Sequence, residues 1–344
     1  MFSNSKQNVP RSTWLDLLKI FAAFLVVFQH STSHIWTSHP VDTFTWKLTH
    51  FFFLFSRTAV PLFFMCSGAG MLQKEHSISK IFHKNIFNLL KIYIAWMIIY
   101  GITDCISLFQ EGLASPRTCM NAIIKNIIFG QYHTWFILAL ISLYLITPFL
   151  FQITRKKENI QYFLFISIIF TIIFPCVRYF GFLERLANTL DNFYMHFVYG
   201  YVLYFVAGYY ISILPWKKMY TYISVITLLI GFSFAGIYSM QLSITLNAPQ
   251  QEIFSEFSPF MFLSVISIFS IFKGLEHKLT SHKIIKVLIS YGFAIYLMHP
   301  LFLSYVQQLH GLYAFVGAFA LYLFCIFISF LISKSKFLSK FLLR

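Results

Sequence analysis

Long apolar runs separated by short polar breaks recur along the whole chain, each close to the ~20 residues that an α-helix needs to cross a bilayer. Ten spans are predicted, at 15–36, 48–73, 88–110, 132–153, 160–180, 194–214, 220–240, 257–273, 285–308 and 312–332. Lys91, Asp104 and Pro300 interrupt the third and the ninth. The first run has a charged start and no small-residue cleavage site, so it reads as a first transmembrane helix rather than a cleaved signal peptide. The polar breaks leave no room for a soluble domain, and no internal repeat suggests the inverted halves of a transporter. The expectation is one domain over residues 1–344: an all-α, polytopic transmembrane bundle of about ten helices.

Composition agrees with a lipid solvent. Only 11% of the 344 residues are charged and 58% are hydrophobic, whereas a soluble domain carries about a quarter charged residues. The 44 Phe and 20 Tyr suit lipid-facing surfaces and interfacial belts. The net charge of +15 would point to nucleic acid in a soluble protein. Here it has a topological meaning. With the N-terminus in the cytoplasm, inside segments carry 19 of the 26 Lys and Arg, and outside segments carry 5. The remaining two, Lys19 and Arg57, lie within spans. That asymmetry predicts both termini in the cytoplasm and a multi-pass protein of the cell (inner) membrane. It leaves membrane lipid as a partner and removes the need for nucleic acid. The five cysteines, Cys66, Cys105, Cys119, Cys176 and Cys325, show no CxxC or metal-like spacing, so neither a disulfide framework nor a zinc site is expected.

Ionisable groups inside a span are costly and mark function by default. The first helix holds Asp16, Lys19 and His30. Eleven residues separate Lys19 from His30, which is three turns and about 20° of an α-helix, so both share a face roughly 16 Å apart. One polar stripe is expected to join a cation near the membrane surface to a deep imidazole. The plainer alternative is a snorkelling interfacial pair with a hydrogen-bonded core histidine. An imidazole at that depth is nevertheless the natural acceptor of a hydroxyl proton. His34 follows His30 at metal-pair spacing, but no third ligand stands nearby and no metal is expected.

Arg57 lies within the second span, ahead of Pro61, Ser67 and Gly68. It pairs with carbonyls freed by Pro61, or with Asp104, or it steadies an oxyanion or substrate carboxylate near His30. Ser67 and Gly68 allow close backbone approach. His133 and Trp135 open the fourth span and read either as interfacial belt or as a sugar-binding lip. Tyr296 and His299 precede Pro300, whose missing N–H frees a carbonyl beside His299. His299 is then a packing group or a second polar group of the site.

Taken in order, these motifs resemble the type-3 membrane acyltransferases. Asp16-x2-Lys19 followed by His30 is similar to that family's first helix, and Arg57-x2-Val60-Pro61 through Ser67-Gly68 to its second-helix motif. His133-x-Trp135-Phe136 with Tyr144 and Pro148, then Tyr204-Phe205-x2-Gly208-Tyr209, then Ser290-Tyr291-x4-Tyr296-x2-His299, continue the resemblance over nearly the whole chain. It implies an O-acetyltransferase of the short single-domain branch that includes the enterobacterial common antigen O-acetyltransferase. His30 maps onto the catalytic base, and Arg57 onto a basic position of the second helix. Asp16, Lys19 and Ser67 would contact the donor; His133, Trp135, Tyr296 and His299 would contact the acceptor. No bound cofactor is implied. Acetyl-CoA, or another acyl-CoA from the cytoplasm, is the co-substrate, and the acceptor is a glycan or lipid-linked glycan. A transporter or flippase for a glycan or small acid is the alternative, and a non-catalytic membrane scaffold a third.

Overall fold

The computed structural model describes residues 12–177, 183–280 and 282–343, which are helical throughout apart from their connections. Lys6, Arg11, Arg178 and Arg344, four of the basic residues counted above, lie outside them. In chain order the helices are α1 (Thr13–Ser38), α2 (Phe44–Met71), α3 (Ile78–Gln110), α4 (Pro116–Phe129), α5 (Trp135–Thr154) and α6 (Lys157–Cys176). There follow α7 (Glu184–Leu190), α8 (Tyr201–Ile213), α9 (Lys218–Leu246) and α10 (Pro259–Gly274). The chain continues with α11 (Lys283–Val306), α12 (Tyr313–Lys334) and α13 (Lys336–Leu342). Among the described residues nine helical segments are long and apolar enough to cross a membrane, α10 counting within the segment Glu252–Lys278.

The predicted span at 194–214 differs. Its helix, α8, begins only at Tyr201 and has 13 residues, about 20 Å against a hydrocarbon core of ~30 Å. Protein surrounds it. Val202 through Gly208 are all buried, and α8 lies tightly against the second half of α2. Two glycines make that approach possible. A Cβ on Gly68 would run into the Phe205 carbonyl, and one on Gly208 into the backbone of Met65. Small residues at a crossing let helix backbones touch in lipid, where packing rather than water exclusion drives association.

α1 runs through the centre of the bundle, in contact with α2, α10, α11 and α12. Its Leu18, Ala22, Ala23 and Val27 are sealed completely. At its N-terminal end the Trp14 indole donates to Glu276 (3.0 Å), which also pairs with Lys273 (2.6 Å). The end of the bundle where α1 starts is called the basic face below, and the other the opposite face.

Two expectations are corrected at the opposite face. Cys105 and Cys119 form a disulfide. Spacing gave no hint of it because the residues lie on different helices. The chain turns back after α3, and 14 residues of separation become a Cα–Cα distance of 4.9 Å. The segment that closes the turn is α4, a helix rather than an irregular loop. Ser115 and Thr118 form a capping box around Pro116, which starts it cleanly. Asp104 is likewise no partner of Arg57. Its carboxylate accepts from Asn126 of α4 at 2.7 Å, and Gln131 donates to the Asn126 side-chain oxygen at 2.5 Å.

Candidate active site

Pro300 sets the local geometry of the central site. It ends the regular α-helical part of α11 at Met298, and His299–Phe302 continue as a 3-10 turn. His299 is completely buried, and its Nδ1 lies 3.2 Å from the Ile295 carbonyl oxygen. The turn presents the ring to α1, where the His30 ring stands with its centre 5.3 Å away. The loop before α5 supplies a third imidazole. His133 is 5.9 Å from His299, centre to centre, and 5.2 Å from Tyr132. Tyr132 also meets the His30 ring edge-on at 5.3 Å.

Tyrosines fix this arrangement. The Tyr296 hydroxyl donates to the His133 carbonyl, tying α11 to the start of α5. Tyr100 of α3 donates to the Leu297 carbonyl at 2.9 Å, and its ring lies 5.6 Å from that of His133. Gln307 donates to the His30 carbonyl at 3.3 Å. Four helices thus converge on one group of three imidazoles.

The polar atoms of this group are incompletely satisfied. Both ring nitrogens of His133 and Nε2 of His299 are buried without a hydrogen-bond partner. A buried polar group left unpaired costs about 1–3 kcal/mol, and each such group asks for a partner, which a bound ligand can supply. His30 differs, being partly accessible. It is the one histidine of the three with appreciable accessible surface. Among the described residues no set of three or more His, Cys, Asp or Glu side chains stands ready to hold a metal ion.

The remaining site residues named from sequence fall into three other places. Arg57 sits at the break in α2 and directs all its donors to the segment before α10: Nη1 to Gln251 (2.6 Å), Nη2 to Glu256 (2.6 Å) and Nε to the Phe254 carbonyl (3.2 Å). Neither Asp104 nor the carbonyls near Pro61 receive it, and it is turned to this segment rather than to His30. Tyr204 braces the same segment by donating to the Glu256 carbonyl at 2.6 Å. Trp135 lies on this side as well, its ring 5.4 Å from that of Tyr201, which is within electrostatic reach of Arg57.

Asp16 and Lys19 occupy the basic end of α1, where both are within electrostatic reach of Cys66 of α2. Asp16 is buried and Lys19 partly so. The stripe drawn from Lys19 to His30 is not polar along its length, because Ala22, Ala23, Val26 and Val27 between them are all buried in the apolar core. Ser67 stands near the Tyr144 hydroxyl. His30, His133, Tyr296 and His299 are therefore joined in one cluster by direct ring contacts, while Arg57, Trp135, Asp16, Lys19 and Ser67 have the separate partners just described. Tyr100, Tyr132, Gln307 and Glu256 were not singled out by sequence. Tyr100 sits in an otherwise ordinary apolar stretch and Gln307 beside Gln308 at the polar end of a span, and only the tertiary fold reveals them.

The chain carrying these side chains matches a known family. The family model described as an acyltransferase domain matches residues 12–334. The chain belongs to the type-3 acyltransferase family. No curated protein and no solved structure matches it. The match covers every element from α1 to α12, so the histidine group and the Arg57 cluster both lie inside the acyltransferase domain. This acyltransferase is a multi-pass, all-helical membrane protein, and its group-transfer chemistry has to be assembled from helices and the short segments between them.

Proposed function

We propose that the protein is a membrane O-acyltransferase that moves acetyl from acetyl-CoA to a hydroxyl of a cell-surface or lipid-linked glycan, in the cell inner membrane. The observation that carries this reading is the convergence of His30, His133 and His299 inside an acyltransferase domain, with unpaired ring nitrogens on two of them. An acceptor hydroxyl attacks the thioester carbonyl of the donor. The new C–O bond forms, the C–S bond breaks, and the hydroxyl proton passes to His30 and then to the departing thiolate. His133 and His299 offer hydrogen bonds to the reacting oxygens, in a setting preorganised by Tyr296 and Tyr100. Arg57 holds the 251–256 segment beside Trp135 and Tyr201, which form an aromatic lip of the kind that stacks on sugar faces.

The test uses purified protein in neutral-lipid proteoliposomes with labelled acetyl-CoA and glycan extracts, with no ion gradient present. Wild type consumes the label and acetylates the glycan, and His30→Ala does neither while remaining folded. Sustained transfer by His30→Ala removes this base. Failure of wild type to consume any label, with transport of the glycan instead, removes the enzymatic reading.

A further inference from the structure

The strongest charged feature outside the histidine site is a cleft of about 820 Å³ on the basic face, between α3, α11, α12 and α13. Lys84, Lys91, Lys286, Lys336 and Lys340 line it, and no acidic side chain does. The charges are crowded. The ammonium groups of Lys91 and Lys340 lie 5.8 and 5.9 Å from the centre of the same Phe341 ring. Among the described residues the side chains that line the cleft include no Asp or Glu, and the ion pairs of Arg57 and Lys273 lie elsewhere. Polar groups complete the wall, including Ser290, Ser339 and Tyr291, whose hydroxyl donates to Ser333 at 3.2 Å.

The positive-inside rule accounts for lysines at this membrane face. It does not account for five of them lining one concave space of ligand size, since small-molecule sites span roughly 300–1,000 Å³. A cleft walled by a single sign of charge focuses its field on an opposite one. Lysine ammoniums and hydroxyls together suit phosphate oxygens.

We propose that this cleft is a binding seat for a phosphate-bearing anion carrying two or more negative charges. Its position points to the phosphate end of the donor, and this part of the inference rests on the acyl-CoA reading above. One helix connects the two sites. α11 carries Lys286, Ser290 and Tyr291 at the cleft, and Tyr296 and His299 at the histidine group. Thirteen residues from Lys286 to His299 span about 20 Å, so a long donor anchored by its phosphates has its reactive end directed along α11 rather than along the apolar seam of α1. The headgroup of an anionic phospholipid carries the same chemistry.

The experiment compares wild type, Lys286→Gln/Lys336→Gln/Lys340→Gln and a control from the same face, Lys156→Gln/Lys157→Gln, each in phosphatidylcholine nanodiscs. Coenzyme A affinity is measured by calorimetry, and phospholipid retained through purification by native mass spectrometry. The expected result is coenzyme A binding at least about tenfold weaker in the triple variant, a change under twofold in the control, and weakening of wild-type binding as salt rises. Loss of retained phosphatidylglycerol from the triple variant, with coenzyme A binding unmoved, also supports a phosphate seat and makes a lipid its occupant. Unchanged coenzyme A binding and unchanged lipid retention overturn it. Thermal unfolding shows whether the triple variant is folded; if it is not, Lys84→Gln/Lys336→Gln and the wild-type salt series take its place. If wild type binds no coenzyme A, the donor reading fails while the lipid comparison still tests the cleft.

Discussion

His30 of α1 and His299 of α11 stand face to face, ring centres 5.3 Å apart and ring planes 33° from parallel, although 269 positions separate them in the chain. Neither ring is a routine core residue. One is partly open and the other is fully enclosed with an unused nitrogen. On the proposed function such a pair divides the labour of a proton transfer, the more accessible ring meeting substrate and the closed ring supporting it.

His133→Phe separates chemistry from stability. The substitution removes two buried nitrogens that have no partner, and it leaves the backbone carbonyl that receives Tyr296. Loss of an unsatisfied polar group is expected to leave thermal stability unchanged, or to raise it by about 1 kcal/mol. Acyl transfer should fall by roughly 10²-fold or more. Thermal unfolding and a labelled-acetyl assay on the same preparation check both halves. Full activity with raised stability would make His133 a filler.

Gly68→Ala should be severely destabilising. The new methyl meets the Phe205 backbone carbonyl, which has no side-chain freedom to retreat. Overpacking of this kind costs about 1–3 kcal/mol and sometimes more. Gly70→Ala serves as the control, because nothing lies near its added carbon. Melting curves in detergent should separate the two variants clearly.

Arg57→Gln and Glu256→Gln should differ in size. The Arg57 side chain is 12% exposed and that of Glu256 39%, so removing the acid strands a mostly buried cation while water still reaches the site of the lost carboxylate. Glu256→Gln keeps the shape and should cost about 1–2 kcal/mol. Arg57→Gln also frees Gln251 and the Phe254 carbonyl and should cost more. The readout is denaturation midpoint together with acceptor KM, which should rise if the 251–256 segment shapes the acceptor side.

The Cys105–Cys119 bond gives a prediction about orientation. Disulfides persist in oxidising compartments, so the α3–α4 turn should face away from the cytoplasm, as the distribution of lysines in the sequence also implies. After mild reduction, a membrane-impermeant maleimide applied to intact spheroplasts should label these thiols. Exclusive labelling from the cytoplasmic side would invert the topology. Reduction should also lower stability by about 3 kcal/mol, the loop-closure value for a ring of about 15 residues.

The bundle was legible because hydropathy in lipid is a strong signal: backbone polar groups have no water to bond, so each crossing must be a continuous apolar helix. α8 escaped that logic. A helix walled by protein need not match the bilayer, and its apolar flank at 194–200 looked like more of the same span. His30 stood out as an ionisable residue where none is cheap. Its partners His133 and His299 were visible as residues near span ends, but their meeting depends on the turn at Pro300 and on the packing of α1, α5 and α11. Arg57 was visible as a buried cation, while its carboxylate was not, because Glu256 lies in a polar break like any solvated acid. The lysine cleft was equally hidden: Lys84, Lys286 and Lys340 are far apart in sequence, and topology alone explains each of them one at a time.

The sealed stretch of α1 has an electrical consequence. With Ala22, Ala23, Val26 and Val27 enclosed in apolar surroundings, that stretch is a short plug that offers a crossing charge no polar side chain of α1, and the membrane voltage adds about 2.3 kcal/mol per unit charge for each 100 mV. A neutral acetyl group passing from one side of the plug to the other does no work against that field. A nucleotide with several negative charges would, so on the acyl-CoA reading proposed above the polar head of the donor remains docked among lysines while only its uncharged tip reaches the imidazoles.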